Sequence, residues 1–203
     1  MKKLLLITTA IVGTMAANAA NLVWNSAGTT ANPGVFSDGT TVSAGSALAI
    51  LIWDVAGTGL GTISSTDLYG LGAGNRILDV TTTVAGNGRL NSGTRTGVTW
   101  GGSTYSYTDP LTGMSVSPTM PSDGAGSATY YMIVYNNANI NLATEYQILT
   151  GNWAYPLTPS SGLTLSFAGV LSAGGWQAIP EPTAMALLAL GAAALGLRRR
   201  FRK

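Results

Sequence analysis

The sequence predicts an all-β protein built as a single β-sandwich domain, with a jelly-roll as the first variant and a barrel as the second. Short runs rich in β-branched and aromatic residues, which favour pleated sheet, recur over residues 20–179. Turn dipeptides lie between the runs at Asp38-Gly39, Asn87-Gly88 and Asp123-Gly124, and glycine supplies the positive φ of tight turns. No long segment of this region has the apolar period of a helix. Many short strands between glycine-rich turns are typical of a sandwich.

Three runs predict strands directly from their side-chain pattern. Ala47–Val55 is apolar almost throughout and contains Ile and Trp, so we expect a strand buried on both faces. In Leu163–Phe167 apolar residues alternate with hydroxyl residues, which predicts one face on the core and one face in water. Thr129–Tyr135 is a dense aromatic and β-branched run, and this composition also favours a strand.

The run Ile77–Val84 predicts a two-faced strand. Simple alternation places one set of residues on one face, namely Leu78, Val80 and Val84, and a second set on the other, namely Asp79, Thr81 and Thr83. One short helix is expected at Ser64–Leu71, with Ser64 or Ser65 as its cap. There is no repeat and no second shift in composition, so we expect a single domain.

The positive charge of the chain belongs to its two ends. The formal net charge is +2, but residues 20–179 contain three arginines against seven acidic residues, a net charge of −4. The arginines are Arg76, Arg89 and Arg95, and the acids are Asp38, Asp54, Asp67, Asp79, Asp109, Asp123 and Glu145. Nucleic-acid binding needs clustered cations that neutralise phosphates. The composition therefore argues against a nucleic-acid partner.

The sequence contains neither histidine nor cysteine. Ser-His-Asp and Cys-His catalysis are therefore excluded, together with zinc sites of the usual ligand set and any disulfide framework. A glycoside hydrolase needs two facing carboxylates, whereas the acids of this chain are scattered singly. We expect no enzyme activity, no cofactor and no metal site.

Aromatic side chains are the remaining candidates for a ligand-facing surface, because Trp and Tyr on a β surface stack on sugar rings or anchor a protein partner. The candidates are Trp100, Tyr105, Tyr107, Trp153 and Tyr155. Tyr105 and Tyr107 are expected on one face of a strand, with the intervening serine opposite. The alternative for all five residues is packing in the core.

The N-terminus has the pattern of a signal peptide, assigned to residues 1–19. A basic start at Met1–Lys3 precedes the apolar run Leu4–Met15, and Ala17 and Ala19 supply the small residues of a cleavage site. We expect export through the Sec translocon and cleavage by signal peptidase between Ala19 and Ala20. The domain then spans residues 20–179.

Residues 180–203 form a second targeting segment. The motif Pro180, Glu181, Pro182 precedes an apolar run, expected to be helical over about 183–197, and the basic cluster Arg198, Arg199, Arg200 follows it within residues 198–203. A helix of about fifteen residues spans roughly 22 Å at about 1.5 Å per residue, which is short of the ~30 Å hydrocarbon core. Basic residues after an apolar segment stay on the cytoplasmic side, so the domain is expected to face outward.

This order of motif, apolar helix and basic stop resembles the PEP-CTERM sorting tail of diderm bacteria. The matching residues are Pro180, Glu181 and Pro182, with Thr183 next to them and Arg198 to Arg200 as the basic cluster. The resemblance implies an exosortase, a membrane transpeptidase-like enzyme with a catalytic cysteine, that removes the tail after transient anchoring in the inner membrane. It also implies a product at the cell surface or outside the cell, associated with exopolysaccharide. The alternative is a plain one-span anchor.

Three hypotheses for the function of the domain follow. The first is an exported, non-enzymatic structural or interaction protein of the cell surface or extracellular matrix. The second is a glycan-binding or adhesive β-sandwich module, which predicts a cluster of exposed aromatic side chains. The third is a carbohydrate-active enzyme, which predicts two carboxyl groups about 5 to 10 Å apart across a groove.

Overall fold

The computed structural model describes residues 20–72, 74–82, 84, 87–98, 105–120, 127–154 and 162–181. Its regular structure over these residues consists of ten β-strands and two single-turn 3₁₀ helices, Ile140–Leu142 and Ala173–Gly175. In chain order the strands are β1 Ala20–Ala27, β2 Leu48–Asp54, β3 Arg76–Thr81, β4 Arg95–Val98, β5 Tyr107–Thr108, β6 Ser115–Val116, β7 Ser127–Tyr135, β8 Glu145–Ala154, β9 Leu163–Val170 and β10 Gln177–Ala178. The all-β prediction is confirmed.

The strands form two main sheets and a small hairpin. A five-stranded antiparallel sheet has the order β10-β8-β7-β2-β3, a three-stranded sheet has the order β4-β1-β9, and β5 pairs with β6. Both main sheets contribute to one hydrophobic cluster, here called the inner cluster, which includes Trp24 of β1, Leu51 of β2 and Phe167 of β9. This arrangement is consistent with a β-sandwich. The parallel pairing of β1 with β9 departs from the all-antiparallel ladders of a jelly-roll.

A second hydrophobic cluster, here called the outer cluster, covers the opposite face of the five-stranded sheet. Ile50 and Ile52 of β2 meet loop residues there, including Ile63, Ile140 and Ile179. Because β2 has the inner cluster on one face and the outer cluster on the other, all seven of its residues are buried. The prediction of a strand buried on both faces at 47–55 is confirmed.

The other patterned runs also form strands. In β9, Leu163, Leu165 and Phe167 are buried and Thr164 and Ser166 are exposed, so the predicted alternation is confirmed. The aromatic run 129–135 lies within β7. Strand formation follows from the alternating period in β9 and from the aromatic and β-branched composition in β7.

The predicted faces of β3 are wrong at its centre. The register changes from Ile52 opposite Ile77 to Leu51 opposite Asp79, so Leu78 is the extra residue of a β-bulge. Leu78 lies in the inner cluster, and the neighbouring Asp79 also turns towards that side, where it meets Trp24 of the other sheet. Strict alternation would place these two side chains on opposite faces.

The short helix expected at Ser64–Leu71 is not formed. Ser64 and Asp67 instead exchange backbone hydrogen bonds across a turn, and the Asp67 carboxylate accepts the N–H of Gly70. Gly70 has a φ of 53°, which lies outside helical geometry. Local side-chain to backbone bonds of Ser and Asp compete with helix formation, and this competition explains the turn.

Candidate functional site

The end of the domain passes directly into the Pro-Glu-Pro motif. Strand β10 pairs with β8, with Gln177 opposite Tyr146 and Ala178 opposite Glu145. The next residue, Ile179, donates its N–H to the carbonyl of Thr144 at 2.8 Å, and its side chain is 8% exposed within the outer cluster. The chain therefore remains attached to the sheet up to residue 179.

The first residue of the motif is held by a contact that we call the Ser65 clamp. The backbone N–H and the hydroxyl of Ser65 both donate to the carbonyl oxygen of Pro180, at 3.3 and 3.0 Å. The side chains of Pro180 and Glu181 are exposed. A groove of about 620 Å³ lies beside the clamped segment and is lined in part by Leu68, Ile140 and Leu142. The motif thus begins on the surface of the folded domain.

A partly buried ion pair, Arg95 with Asp79, lies on the other side of the five-stranded sheet, close to its β3 edge. The Asp79 carboxylate, 0% exposed, accepts hydrogen bonds from the Trp24 indole at 2.7 Å and from Arg95 Nε at 2.8 Å. Arg95 Nη2 also donates to the carbonyl of Val80 at 3.1 Å. Burial raises the pKa of Asp79, while the bonds from Arg95 and Trp24 act in the opposite direction. The ion pair links β3 to β4, and the Trp24 indole links β3 to β1.

The same pair lines a cleft of about 460 Å³, here called the Arg95 cleft. Ser106, Tyr107 and Thr108 line it together with Asp79 and Arg95. Burial raises the pKa of Tyr107 to about 12. Its phenol is protonated at neutral pH, as that of any ordinary tyrosine is, and can donate a hydrogen bond. A guanidinium, two hydroxyls and a phenol ring at one cleft match the chemistry of a hydroxyl-rich ligand.

The aromatic candidates have different surroundings. The Tyr105 hydroxyl donates to the carbonyl of Leu78 and its ring packs on the inner cluster, whereas Tyr107, 9% exposed, packs in the outer cluster and lines the Arg95 cleft. The expectation that these two tyrosines share a face is wrong, because regular strand geometry begins only at Tyr107. Trp100 and Tyr155 lie outside the described residues.

Trp153 is partly buried against the inner cluster. Its ring makes edge contacts with Tyr130 and Phe167, at centroid distances of 5.9 and 4.8 Å. Gly151 lies beside the ring, and a Cβ at that position would come within 2.2 Å of it. These contacts support the core-packing interpretation for Trp153.

The described carboxylates of the domain all have local partners. Asp38, Asp54 and Asp67 accept hydrogen bonds from backbone amides of nearby turns and loops. Asp109 accepts hydrogen bonds from the Tyr69 hydroxyl and from two turn amides. Asp79 pairs with Arg95, and Glu145 accepts a hydrogen bond from the Ser37 hydroxyl. Asp123 lies outside the described residues. Within the described part of the chain, no three acidic side chains come together as a metal site would require.

Asp109 illustrates how these carboxylates act. Partial burial would raise its pKa, but the hydrogen bonds from the Tyr69 hydroxyl, at 2.7 Å, and from the amides of Leu111 and Thr112 bring the pKa below its usual value. In return, burial and the Asp109 carboxylate raise the pKa of Tyr69. The pair holds the turn between β5 and β6 to the loop that carries Tyr69.

Sequence reasoning missed Ser65 and the Arg95–Asp79 pair. Nothing in the sequence around Ser65 distinguishes it from other loop serines, because its partner lies 115 residues away. Arg95 carried a weak signal, since it is one of only three arginines in the domain and lies in a strand. A charged residue in a strand points to a buried partner or a wet face, and sequence alone does not choose between them.

Several predicted targeting residues fall outside the described part of the chain. These are the signal peptide with Ala17 and Ala19, the last motif residue Pro182, the apolar run after it, and the basic cluster Arg198 to Arg200. Ala20, on the other side of the predicted signal cleavage, begins β1 and is 1% exposed. In the described residues, no helix has both the length and the apolar character needed to cross a bilayer.

Comparison with known proteins identifies the tail. Residues 178–200 match the PEP-CTERM protein-sorting motif, so the resemblance to this sorting tail is confirmed. The matched residues start at β10 and include the clamped Pro180. No curated protein and no solved structure matches the chain.

Proposed function

We propose that this PEP-CTERM-bearing chain is a precursor whose β domain becomes a non-enzymatic structural or interaction component of the cell surface or extracellular matrix. The match of residues 178–200 to the sorting motif carries the proposal. That motif implies an exported protein that an exosortase processes at the membrane. Sec export, signal-peptide cleavage, transient inner-membrane anchoring and a final location at the surface, in contact with exopolysaccharide, complete the proposed route.

The chemistry of the domain supports a role without catalysis. The sequence has no histidine and no cysteine, and each described carboxylate within residues 20–179 binds a turn, a loop or a neighbouring strand. A carboxylate that holds a turn through several hydrogen bonds is a poor general acid or base, because these bonds stabilise its ionised form. We therefore assign the acidic residues to structure.

Intact-mass analysis of the protein from its native envelope and medium tests this route. We expect loss of residues 1–19 and of the segment beyond Pro182, and added mass would reveal glycosylation. A Pro182→Ala variant should keep its tail, while the matched Pro110→Ala variant should lose it. Wild-type protein that retains its arginine cluster in the membrane fraction would contradict exosortase processing and leave a plain anchored protein.

A second candidate function, glycan binding, is supported by the Arg95 cleft. Arg95 Nε and Nη2 bind Asp79 and Val80, which orients the guanidinium, and the cleft adds the hydroxyls of Ser106 and Thr108 and the ring of Tyr107. Sugars are recognised by such combinations of aromatic faces and hydrogen-bonding groups. Here the ligand would be a neutral saccharide, since the guanidinium charge is already compensated by Asp79.

Filling the cleft tests this second function without disturbing the core. Ser106 is exposed and lines the cleft, whereas Ser115 is exposed on β6 and does not line it. We expect calorimetric binding of exopolysaccharide from the producing cell to be lost in Ser106→Trp and kept in Ser115→Trp. Equal binding by both variants would exclude the Arg95 cleft as the saccharide site.

A further inference from the structure

We propose that the sorting tail must detach from the β domain before the exosortase can cut it, and that Ser65 is a positioning residue that holds the tail in the docked, protected form. The inference rests on the proposed function, because it concerns the same processing step. It adds a conformational step before cleavage, which the sorting motif alone does not contain. The relevant segment is Gln177–Glu181, which the structure describes in full.

The docked segment offers little backbone to an enzyme. Gln177 and Ala178 are paired with β8, the Ile179 N–H is bound to Thr144, and the Pro180 carbonyl accepts two hydrogen bonds from Ser65. Enzymes that act on peptides bind an extended chain through its main-chain N–H and C=O groups, as in the addition of a strand to a sheet edge. The groups on the N-terminal side of the motif are therefore already used by the domain itself.

The distance to the membrane gives a second argument. Only three residues, 181–183, separate the clamped Pro180 from the apolar run that begins at Ala184. Fully extended, they span at most about 10 Å. A membrane enzyme would have to enclose the motif within this gap while the folded domain lies against it. Release of residues 177–180 adds about 13 Å at roughly 3.3 Å per residue, which more than doubles the available length.

The attachment is suited to local opening. Strand β10 has two residues, both exposed, at the edge of the five-stranded sheet. Ile179 supplies the buried anchor, and Ser65 supplies the clamp. Short edge segments with few buried contacts open without unfolding of the whole domain. Opening would expose the motif and leave the inner cluster intact.

Removal of the Ser65 hydroxyl is the first test. In Ser65→Ala the backbone N–H bond to Pro180 remains and one hydrogen bond is lost, so we expect tail cleavage to become about five-fold faster. The measurement is the rate of mass loss from the full-length precursor in membrane vesicles from the producing cell. The control is Ser172→Ala, which removes an exposed hydroxyl with no capping hydrogen bond.

A readout specific to the tail separates positioning from a general loss of stability. Amide hydrogen exchange of Ile179 should become faster in Ser65→Ala, while exchange of Ile133 in the buried strand β7 and the melting temperature should not change. Slower cleavage of Ser65→Ala would overturn the proposal, because it would mean that the enzyme uses the docked form.

A reversible disulfide between the tail and the sheet gives the decisive test. Ala178 and Glu145 lie directly opposite each other in antiparallel strands, where Cα separations of about 4.5 to 5.5 Å suit a disulfide. The chain has no cysteine of its own, so the double variant Glu145→Cys, Ala178→Cys forms a single defined bond. We expect the oxidised protein to be cleaved at least ten-fold more slowly than the same protein after reduction.

The outcomes distinguish failure of exosortase processing from failure of the detachment proposal. If wild-type precursor is not cleaved at all, exosortase processing itself is wrong. If wild type and the reduced double variant are cleaved and the oxidised form is cleaved at the same rate, processing stands and the detachment proposal is overturned. Cleavage of the reduced form alone supports detachment.

Discussion

Replacement of Trp24 by Phe should test how strongly the Trp24–Asp79–Arg95 cluster joins the two sheets. The substitution keeps most of the apolar ring and removes the indole N–H, which donates to Asp79 at 2.7 Å in a site where Trp24 is 0% exposed. A hydrogen bond to a charged group contributes about 1.5–3 kcal/mol. A void of about 40 Å³ adds about 1 kcal/mol. The free energy of unfolding should therefore fall by about 2.5–4 kcal/mol, a large part of the roughly 5–15 kcal/mol typical of a domain.

The matched control is Trp176→Phe. This change deletes the same atoms, but the Trp176 indole donates to the neutral carbonyl of Val35 at 2.9 Å in a partly buried position. A neutral hydrogen bond contributes about 0.5–1.5 kcal/mol, so the expected loss is about 1 kcal/mol. Urea unfolding at pH 7, followed by far-ultraviolet circular dichroism, measures both variants. A loss in Trp24→Phe no greater than that in Trp176→Phe would refute the charge-assisted link.

Three further predictions concern other parts of the fold. Because burial raises the pKa of Asp79, its contribution to stability is present below the unfolded-state pKa and is lost as pH rises through the folded-state pKa. Wild type should therefore lose stability relative to Asp79→Asn as the pH rises above about 4, and unfolding midpoints with the opposite trend would show that the ion pair with Arg95 outweighs burial. Gly34→Ala should destabilise the domain by about 1–3 kcal/mol, because its Cβ would lie 2.3 Å from the Gly88 carbonyl oxygen. Gly174→Ala, whose Cβ would have nothing within 4 Å, should leave stability unchanged, and equal unfolding midpoints of the two variants would contradict the close approach of Gly34 to Gly88. Ultraviolet titration should detect no ionisation of Tyr107 below about pH 11, consistent with a pKa of about 12, and an earlier transition that disappears in Tyr107→Phe would contradict its burial.

Strands with a single consistent pattern could be predicted from the sequence. The fully apolar run around Ile50 became the doubly buried β2, and the alternating run around Leu165 became the half-buried β9. In both cases the side chains of one segment contain the information, because burial on one face or two follows from the period. The predictions failed where a local period was interrupted, at the bulge of Leu78 and in the turn of Ser64.

The candidate sites could be predicted only in part. The sorting motif was recognisable because Pro180, Glu181 and Pro182 are contiguous and stand before an apolar run. The Arg95 cleft was not recognisable, since Asp79 meets Trp24 across 55 residues and Arg95 across 16. Tyr107 was a candidate because of its aromatic ring, and this role stays a prediction, while its place beside that ion pair depends on the path of the chain past the sheet edge.

By itself, the sequence determined which catalytic residue types are absent, where the sorting motif lies, and which runs form strands. These properties depend on residue type, order and period within short stretches, and they are therefore independent of how distant segments meet. Only the tertiary structure decided that β1 and β9 pair in parallel, that Asp79 turns inward at a bulge, and that Ser65 holds the carbonyl of Pro180. Strand register and loop contacts result from many weak interactions between remote residues acting together, and no single stretch of the chain contains that sum.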